Sequence, residues 1–327
     1  MTLATAPARG TADLRLIVRV ARMYYGMNLT QEQIGARLGL SRFKVGRLLD
    51  RAVRESIVRI EVVHPVARLV DLEDALVARL GLRAAVVADV AAGDDADGAA
   101  GRVAREAVAR AAAGYLAAER PTGAIGVSWG RTMLALAGQL EPGWTTATEI
   151  VQLNGATSRS ATPTRVNEIV DRFSATTGAP IRLMPAPAIV GSAALRIALE
   201  ADPSVGDTLG AARRAPFAVF SLGIPTPESV LVESGFVGDT DRARLREAGA
   251  VGDVLGRFLA ADGRIALPDL DDRTVGLPLA DLAAKPYAVG LAAGPDRGPI
   301  ALAAIRAGCV NVLVADEATV QWLMTHG

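Results

Sequence analysis

Near the N-terminus, apolar and polar positions follow the period of short amphipathic helices. Residues 13–26 place their apolar side chains on one stripe, and residues 29–49 carry two shorter stripes separated at Gly39. Apolar residues three and four positions apart share one face of a helix, which then packs against a neighbour. The pattern therefore predicts three short helices. The inward-facing positions of the second and third are Ile34 and Leu38, then Val45, Leu48 and Leu49.

The residues at the ends of the second and third helices predict a helix-turn-helix. Thr30 precedes the second helix and Gln33 follows three residues later, which is the spacing of a capping box. Gly39 allows the tight turn after that helix, Leu40 fills the angle between the two helices, and Ser41 is placed to cap the third.

The third helix leaves small and basic residues on its outer side, close to its N-terminus. A second helix of this kind enters the major groove of DNA in helix-turn-helix proteins. The alternative is an ordinary helical hairpin whose basic face is only solvated. We expect DNA binding, with contacts from Thr30, Gln31, Ser41, Arg42, Phe43, Lys44 and Arg47.

Two further elements are predicted before the larger C-terminal part. Residues 57–63 alternate apolar and charged side chains, as a half-buried strand does, and a strand directly after a recognition helix suggests a small wing. After Pro65 follows a short helical seam, which either pairs with its copy in a dimer or packs on its own domain. The seam consists of Leu69, Leu72, Leu76 and Leu80.

From residue 84 onward, short apolar runs alternate with helical segments. Continuous apolar runs are typical of parallel strands, and the alternation indicates an α/β fold with an open, mostly parallel sheet covered by helices on both faces. Residues 230–282 break the rhythm with a Gly- and Asp-rich segment, which we expect to form an insertion or lid. The predicted strands are residues 84–89, 123–128, 149–154, 181–185, 217–222, 287–292 and 310–315.

The predicted elements divide the chain into four parts. A disordered tail of residues 1–12 precedes a winged helix-turn-helix domain of residues 13–64. A linker helix of residues 65–82 then leads to an α/β domain of residues 83–327, which is expected to bind a ligand and to oligomerise.

Charge separates along the same boundary. The 35 Lys and Arg residues balance the 35 Asp and Glu residues over the whole chain, but residues 1–65 hold eleven basic and five acidic residues. The remainder therefore holds 24 basic and 30 acidic residues. A basic head on an acidic body places a polyanionic partner, here operator DNA, at the head.

Composition argues against several classes of protein. Cys309 is the only cysteine, so neither an intrachain disulfide nor a cysteine-based metal site can form. The histidines, His64 and His326, lie far apart in sequence, and we expect no metal and no cofactor. Residues 1–12 lack the apolar core of a signal peptide, and no apolar run reaches the roughly 18 residues that span a membrane. The chain is therefore expected to be cytoplasmic, with no membrane partner.

The loops that follow the predicted strands are candidate binding sites, because ligands of open α/β sheets bind beyond the carboxyl ends of the strands. Residues 126–132 combine a glycine, a guanidinium and hydroxyls at the start of a helix, where free amides bind anions such as phosphate. No Gly-Lys-Ser/Thr sequence is present, so this is not a Walker loop. A purely structural turn is the alternative. The candidate residues are Ser128, Gly130, Arg131 and Thr132.

Three further segments offer ligand contacts. Residues 154–162 are dense in hydroxyls and amides suited to sugar hydroxyls or a second phosphate, unless they form only a surface loop. Residues 249–256 hold an aspartate among glycines, and the alternative there is an ordinary turn. Residues 293–298 hold an arginine that could contact an anion, and the alternative there is a solvent-exposed loop residue. The candidate residues are Asn154, Gly155, Asn167 on the next helix, Asp253 and Arg297.

Several short motifs follow one another in a characteristic order from about residue 14 to residue 325. On these motifs the chain resembles the SorC family of bacterial sugar-binding transcriptional regulators, a group related to the DeoR regulators. In the head the motifs are Val20–Tyr25, Leu29–Ile34 and Ser41–Arg42. In the body they are Gly126–Thr132, Val151–Gly155, Leu183–Ala188, Gly249–Asp253 with Ala261–Arg264, and Asn311–Glu317.

The resemblance implies a Rossmann-like effector domain similar to ribose-5-phosphate isomerase and glucosamine-6-phosphate deaminase. It also implies a phosphorylated sugar as inducer and a homo-oligomer on DNA, either a dimer or a homotetramer. The residues that match family roles are Gly130, Arg131 and Thr132 for the phosphate-binding turn, Asn154 and Gly155 for the ligand loop, Asn167 for its following helix, and Asp253 for a Gly-Asp motif.

Three positions depart from the family pattern. Ala156 stands where many relatives have a second glycine. Arg297 stands where a lysine is common, which keeps a cation but removes any amine able to form a Schiff base there. The recognition helix often reads Ser-Arg-x-Thr-Val-Ser-Arg, whereas residues 41–47 read Ser-Arg-Phe-Lys-Val-Gly-Arg.

We interpret the chain as an effector-controlled transcription factor and not as an enzyme. It is expected to repress a carbohydrate or polyol catabolic operon and to respond to a small phosphorylated sugar or polyol bound in its C-terminal domain. One alternative is a sugar-phosphate isomerase or deaminase with a DNA-binding head, for which only Asp253 and Glu168 are candidate bases. The other is a constitutive DNA-binding oligomer without an effector.

Overall fold

The chain divides after residue 64 into two compact units. The N-terminal unit is helical in its described part, and the C-terminal unit is α/β. Within the described ranges, no helix is both long and apolar enough to cross a membrane. The residues that the computed structural model describes are 9–55, 57–58, 70–90, 99–156 and 165–327.

The described part of the N-terminal unit contains three helices and one π-helical turn. Residues 9–12, predicted as part of a disordered tail, form the first turn of the first helix; residues 1–8 lie outside the described residues. The small and polar side chains of this turn carry no hydrophobic period, so the sequence pattern gives no signal for it. The elements are α1 (Arg9–Ala21), the π-helical turn (Arg22–Gly26), α2 (Gln31–Leu38) and α3 (Arg42–Arg54). Their shared core contains Ile17, Val20, Ile34, Val45, Leu48, Leu49 and Ala52.

The predicted helix-turn-helix is confirmed in its capping details. The Thr30 hydroxyl accepts a hydrogen bond of 3.2 Å from the Gln33 amide, and the Thr30 amide donates one of 2.9 Å to the Gln33 side chain. Gly39 ends α2 in the left-handed region at a φ of 66°, and the Ser41 hydroxyl accepts from the Lys44 amide at 3.3 Å. Gly35 is also required, because a methyl group there would lie 2.5 Å from the Leu40 carbonyl oxygen.

The structure describes most of the predicted leucine seam but only two residues of the predicted wing strand. Of the strand predicted at residues 57–63, only Ile57 and Val58 are described, and both lie in a bend, so the wing stays a prediction. The seam forms α4 (Val70–Leu80), while residues 65–69 lie outside the described residues. Leu76 is 1% exposed in the core of the α/β unit, so this helix packs on its own domain, which was one of the two alternatives.

The described part of the α/β unit is built around one nine-stranded sheet. Helices cover both of its faces and enclose two large apolar cores. The strands are β1 (Ala84–Ala88), β2 (Thr122–Val127), β3 (Thr146–Gln152), β4 (Ile181–Arg182), β5 (Phe217–Gly223), β6 (Ala250–Val254), β7 (Arg257–Ala260), β8 (Tyr287–Ala292) and β9 (Val312–Asp316). The helices after α4 are α5 (Ala99–Glu119), α6 (Arg131–Ala137), α7 (Val166–Thr177), α8 (Ala193–Ala201), α9 (Pro203–Arg214), α10 (Val230–Glu233), α11 (Asp239–Glu247), α12 (Pro268–Asp271), α13 (Leu279–Ala283), α14 (Gly298–Arg306) and α15 (Glu317–His326).

The order of the strands creates a switch point at the centre of the sheet. The parallel strands lie in the order β1-β9-β8-β5-β2-β3-β4. The chain therefore runs from β2 through β3 and β4 toward one edge, and from β5 through β8 and β9 toward the other. Connections diverge between β2 and β5, and a crevice opens at the carboxyl ends of two such strands.

Part of the Gly- and Asp-rich segment predicted as an insertion or lid is instead a hairpin that joins the sheet. Residues 250–260 form β6 and β7, and β6 pairs antiparallel with the end of β5. Gly252 allows this pairing, because a methyl group there would lie 2.3 Å from the Gly223 carbonyl oxygen. Glycine serves here for close approach of two strands and not for a loop, a distinction that composition alone does not make. Asp253 consequently lies on a strand beside β5 and not in a loop after a parallel strand.

Candidate ligand-binding cleft and DNA-binding face

A cleft of about 710 Å³, part of which is open to solvent, lies at the carboxyl ends of β2 and β5. Its walls come from the loops and helix starts after β2, β3, β5 and β8, together with α5, α10 and the β6–β7 hairpin. The predicted residues that line it are Ser128, Gly130, Arg131, Thr132, Asn154, Asp253 and Arg297. Segments widely separated in sequence therefore meet at the switch point.

The turn after β2 forms one end of the cleft. Ser128 and Thr132 are buried there, and α6 begins at Arg131 without a capping side chain on its first turn. Gly130 has a φ of 140°, and a methyl group on it would lie 2.6 Å from the Ser221 hydroxyl of β5. The backbone of this turn thus packs closely on the neighbouring strand. Uncapped helix amides beside a guanidinium form a typical anion-binding arrangement.

Three guanidinium groups line the same cleft, on Arg105, Arg131 and Arg297. Burial lowers the pKa of Arg105, and the nearby positive charge of Arg131 lowers it further. Arg131 forms an ion pair of 2.7 Å with Glu233 on α10. Positive charge is therefore crowded at this end of the cleft, which favours a ligand that carries negative charge.

Arg297 contributes a buried donor. Its Nη1 atom is buried and has no hydrogen-bond partner among the described residues, and its Nε atom makes a long bond of 3.4 Å to the Ala293 carbonyl oxygen. Burial lowers the pKa of this guanidinium, against the opposing effect of Asp253. A hydrogen bond fixes the turn that bears Arg297, because the Asp316 carboxylate accepts it from the Gly294 amide.

Asp253 contributes a buried acidic group. Loss of solvation raises the pKa of its carboxyl to about 6, although the Gly256 amide and the Arg297 charge both favour the ionised form. The Gly256 amide donates to Oδ2 at 3.0 Å. Gly223 leaves room for the carboxylate, because a methyl group on Gly223 would lie 2.0 Å from Oδ1.

Asn154 contributes a buried acceptor. Its side chain lines the cleft, the residue is 2% exposed, and its Oδ1 atom has no hydrogen-bond partner in the described part of the chain. Its backbone is fixed, because Gln152 Nε2 donates to the Asn154 carbonyl oxygen at 2.6 Å. A buried amide oxygen without a partner is costly, and a ligand hydroxyl would satisfy it.

Two predicted residues do not line the cleft. The Gly155 carbonyl oxygen accepts from Trp129 Nε1 at 3.0 Å, and a methyl group on Gly155 would lie 2.2 Å from the Pro187 carbonyl oxygen, so its contacts are structural. Asn167 is exposed on α7. Residues 157–162 of the predicted polar loop lie outside the described residues.

Sequence reasoning missed several residues that line the cleft, among them the polar Arg105 and Ser221. Arg105 belongs to the same helix face as the buried Val108, Ala109 and Ala112, at spacings of three, four and seven residues. A cation at the end of an apolar stripe was the signal that could have identified it. Ser221 similarly interrupts the apolar run of β5.

The predicted DNA contacts lie at the start of α2 and in the first two turns of α3. The side chains of Thr30 and Ser41 cap helices, and Gln31 is partly buried beside Gly46. Arg42 forms a solvent-exposed ion pair of 3.6 Å with Glu32. The exposed residues at the start of α3 and in its second turn are Arg42, Phe43, Lys44 and Arg47.

The described residues offer little for metal or thiol chemistry. Among them, no group of three or more His, Cys, Asp and Glu side chains could hold a metal ion. Burial raises the pKa of the Cys309 thiol to about 11, so it is protonated at neutral pH and is a poor nucleophile.

Comparison with known proteins extends over both units. Residues 64–325 match the family of sugar-binding domains, and residues 19–55 match region 4 of sigma-70 factors. The deoxyribonucleoside regulator of Bacillus subtilis is 30% identical over 95% of this chain and 97% of its own length. The sorbitol operon regulator of Klebsiella pneumoniae is 26% identical over 95% of this chain and 98% of its own. The sugar-binding domain of a transcriptional repressor from Vibrio fischeri is 25% identical, with a TM-score of 0.68 over 79% of this chain and 98% of its own.

Proposed function

This chain belongs to the SorC family of sugar-binding transcriptional regulators, and from that membership we propose that it is a DNA-binding regulator whose α/β unit binds a small phosphorylated sugar or polyol. The relatives named above are regulators and not enzymes. The observation that supports the ligand most strongly is one cleft in which three guanidinium groups line the same space as buried polar atoms that have no hydrogen-bond partner in the described part of the chain.

The cationic end of the cleft is suited to the phosphate. The uncapped first turn of α6 supplies amide donors, and Arg131 supplies a planar guanidinium that matches phosphate oxygens in pairs. Arg105 lies close enough to Arg131 to lower its own pKa, so a dianion between them would relieve like-charge repulsion. To bind there, the phosphate must compete with Glu233 for Arg131.

The remaining polar groups are suited to hydroxyls. A hydroxyl donates to one partner and accepts from another, and the cleft offers both an acceptor, Asn154 Oδ1, and a donor, Arg297 Nη1. The Asp253 carboxylate adds a second acceptor above its pKa. A site built to hydrogen-bond hydroxyls discriminates strongly against compounds that lack them. Sugars and polyols carry hydroxyls on adjacent carbons, which fits this set.

In the N-terminal unit, α3 is proposed to enter the major groove of an operator. The protein would bind there as a homo-oligomer, either a dimer or a homotetramer. We further propose that the protein represses a carbohydrate or polyol operon and that the effector weakens its binding to DNA. A coupling of about 1–3 kcal/mol between the two sites is enough for such a switch. We also propose that the fold of the α/β unit is similar to that of ribose-5-phosphate isomerase and glucosamine-6-phosphate deaminase.

A thermal-shift screen tests the ligand class. The panel contains sugar and polyol phosphates, the matching unphosphorylated compounds and inorganic phosphate. A ligand at about a hundred times its Kd stabilises the folded protein by roughly 2.7 kcal/mol, which corresponds to a shift of several degrees. We expect a phosphorylated compound to stabilise the protein more than its unphosphorylated form. Stabilisation by no member of the panel, or equal stabilisation with and without phosphate, would contradict the proposed effector.

A further inference from the structure

Phe43 is the most exposed large apolar side chain among the described residues, at 84%. It lies in the first turn of α3, which Ser41 caps. The buried face of this helix is complete without it, because Val45, Leu48 and Ala52 fill the core of the unit. A phenyl ring in water gains nothing for the fold. One such residue is common on a protein surface, so it is its place at the start of a basic helix that points to a partner.

Phe43 lies on the face of α3 opposite the buried one. The inward positions are 45, 48, 49 and 52, and at 100° per residue residue 43 falls about half a turn from their centre. Arg47 is four residues further along and therefore lies on the same outward face as Phe43. Lys44 and Arg42 flank them. Three exposed cations, Arg42, Lys44 and Arg47, therefore lie within four residues of Phe43 along the helix, which favours a polyanionic partner over an apolar protein surface.

We infer that Phe43 contacts the C5-methyl group of a thymine in the major groove, while Arg47 contacts a neighbouring base pair. The inference rests on the proposed DNA binding of the helix-turn-helix. Residues at the N-terminal end of a recognition helix contact base edges. A phenyl ring neither donates nor accepts a conventional hydrogen bond, and the thymine methyl is the apolar group that base edges present in the major groove.

The test begins with selection of binding sites from a random DNA library by the full-length protein. Each thymine of the selected site is then replaced singly by deoxyuridine, which removes only the methyl group. We expect one replacement in each half-site to weaken binding about fourfold, the effect of one buried methyl group, and the others to change affinity little.

Variants assign that effect to the side chain. Phe43→Ala should weaken binding to the selected site and abolish the deoxyuridine penalty at the same position. Phe43→Leu, which keeps an apolar side chain, should retain part of the penalty. Val53→Ala is the matched control, because Val53 is a 42% exposed apolar residue near the other end of the same helix. It should behave like the parent protein.

The possible outcomes separate the inference from the function on which it rests. Enrichment of no sequence overturns both DNA recognition and the role of Phe43. Enrichment of a site in which no thymine methyl affects affinity overturns the role of Phe43 alone. A deoxyuridine penalty that persists in Phe43→Ala also overturns it, because the methyl group would then be contacted by another residue.

Discussion

The two units of this protein use arginine in opposite ways. On α3, Arg42 and Arg47 are exposed on an outward helix face. In the cleft, burial lowers the pKa values of both Arg105 and Arg297. Exposed cations suit a long polyanion, whose phosphates they contact in a way that is sensitive to salt. Cations that are buried in a cleft suit one small anion whose shape fits that cleft. The difference fits the proposed roles, DNA binding by the first unit and effector binding by the second.

Removing one cation from the cleft should separate the two functions most clearly. Arg131→Ala is expected to weaken effector binding by about a hundredfold or more, because a charge-assisted contact to the phosphate is lost, and to leave operator affinity without effector unchanged. Calorimetric titration with the effector found by the thermal screen measures the first quantity, and a DNA-binding assay measures the second.

Arg213→Ala is the control for that experiment. Arg213 forms an ion pair of 2.8 Å with Asp281 and has an exposure similar to that of Arg131, but it does not line the cleft. It should bind effector normally. Equal affinity of Arg131→Ala and the parent protein for effector would show that the phosphate lies elsewhere.

Burial of the Asp253 carboxyl group in the cleft should make the stability of the folded protein depend on pH. Burial raises the pKa of Asp253 from its ordinary value of 3.8 to about 6 in the folded protein, so the folded state holds this proton more tightly than the unfolded chain. Its contribution to stability is present below about pH 4 and is lost as the pH rises through about 6. The loss amounts to roughly 3 kcal/mol.

Denaturant unfolding of the parent protein and of Asp253→Asn at about pH 4 and pH 7 isolates this group. The stability of the parent relative to the variant should fall as the pH rises. A difference between the two proteins that stays constant with pH would mean that Asp253 is not withdrawn from solvent as described.

A single methyl group should disturb the acidic side of the cleft. Gly223→Ala places Cβ 2.0 Å from Asp253 Oδ1, and we expect the carboxylate to rotate away and lose its bond from the Gly256 amide. Effector affinity should fall by about tenfold. Gly238→Ala, where a methyl group meets nothing within 4 Å, is the control, and equal effector affinity of the two variants would argue against a role for the position of Asp253.

The smallest expected effect concerns the competitor for Arg131. Glu233→Gln removes the carboxylate that pairs with Arg131 at 2.7 Å, and the pair is partly exposed, so effector affinity should rise by only about threefold. The gain should shrink as salt is added, because screening weakens the ion pair in the parent protein. Unchanged or lower affinity at low salt would indicate that Glu233 positions Arg131 and does not compete with the ligand.

The contrast between the units also explains what the sequence could predict. The helix-turn-helix is local: Thr30, Gly39 and Ser41 act on neighbours within a few residues, and each acts as predicted. Much of the parallel sheet was predictable because strands such as β1 and β8 are continuous apolar runs. The turn after β2 was equally local, since strand, glycine and helix start adjoin in the sequence.

The rest of the cleft depends on contacts between distant segments. Arg105 lines the cleft from α5, a long helix whose apolar stripe predicts only that it covers the sheet. Ser221 lies toward the end of the otherwise apolar strand β5. Gly223 and Gly252 resemble loop glycines, but they permit close contacts that exist only after β5 and β6 pair. Such roles cannot be derived from spacing along the chain, because the partner is set by the strand order.

The central claim is that a phosphorylated sugar bound in the cleft controls binding of the helix-turn-helix to DNA. The most direct test measures the affinity of the full-length protein for its selected operator, with and without saturating effector, for the parent protein and for Arg131→Ala. We predict a decrease of about 5- to 150-fold in the parent protein and none in Arg131→Ala at the same effector concentration. Identical operator affinity of the parent protein with and without a bound effector would contradict the account.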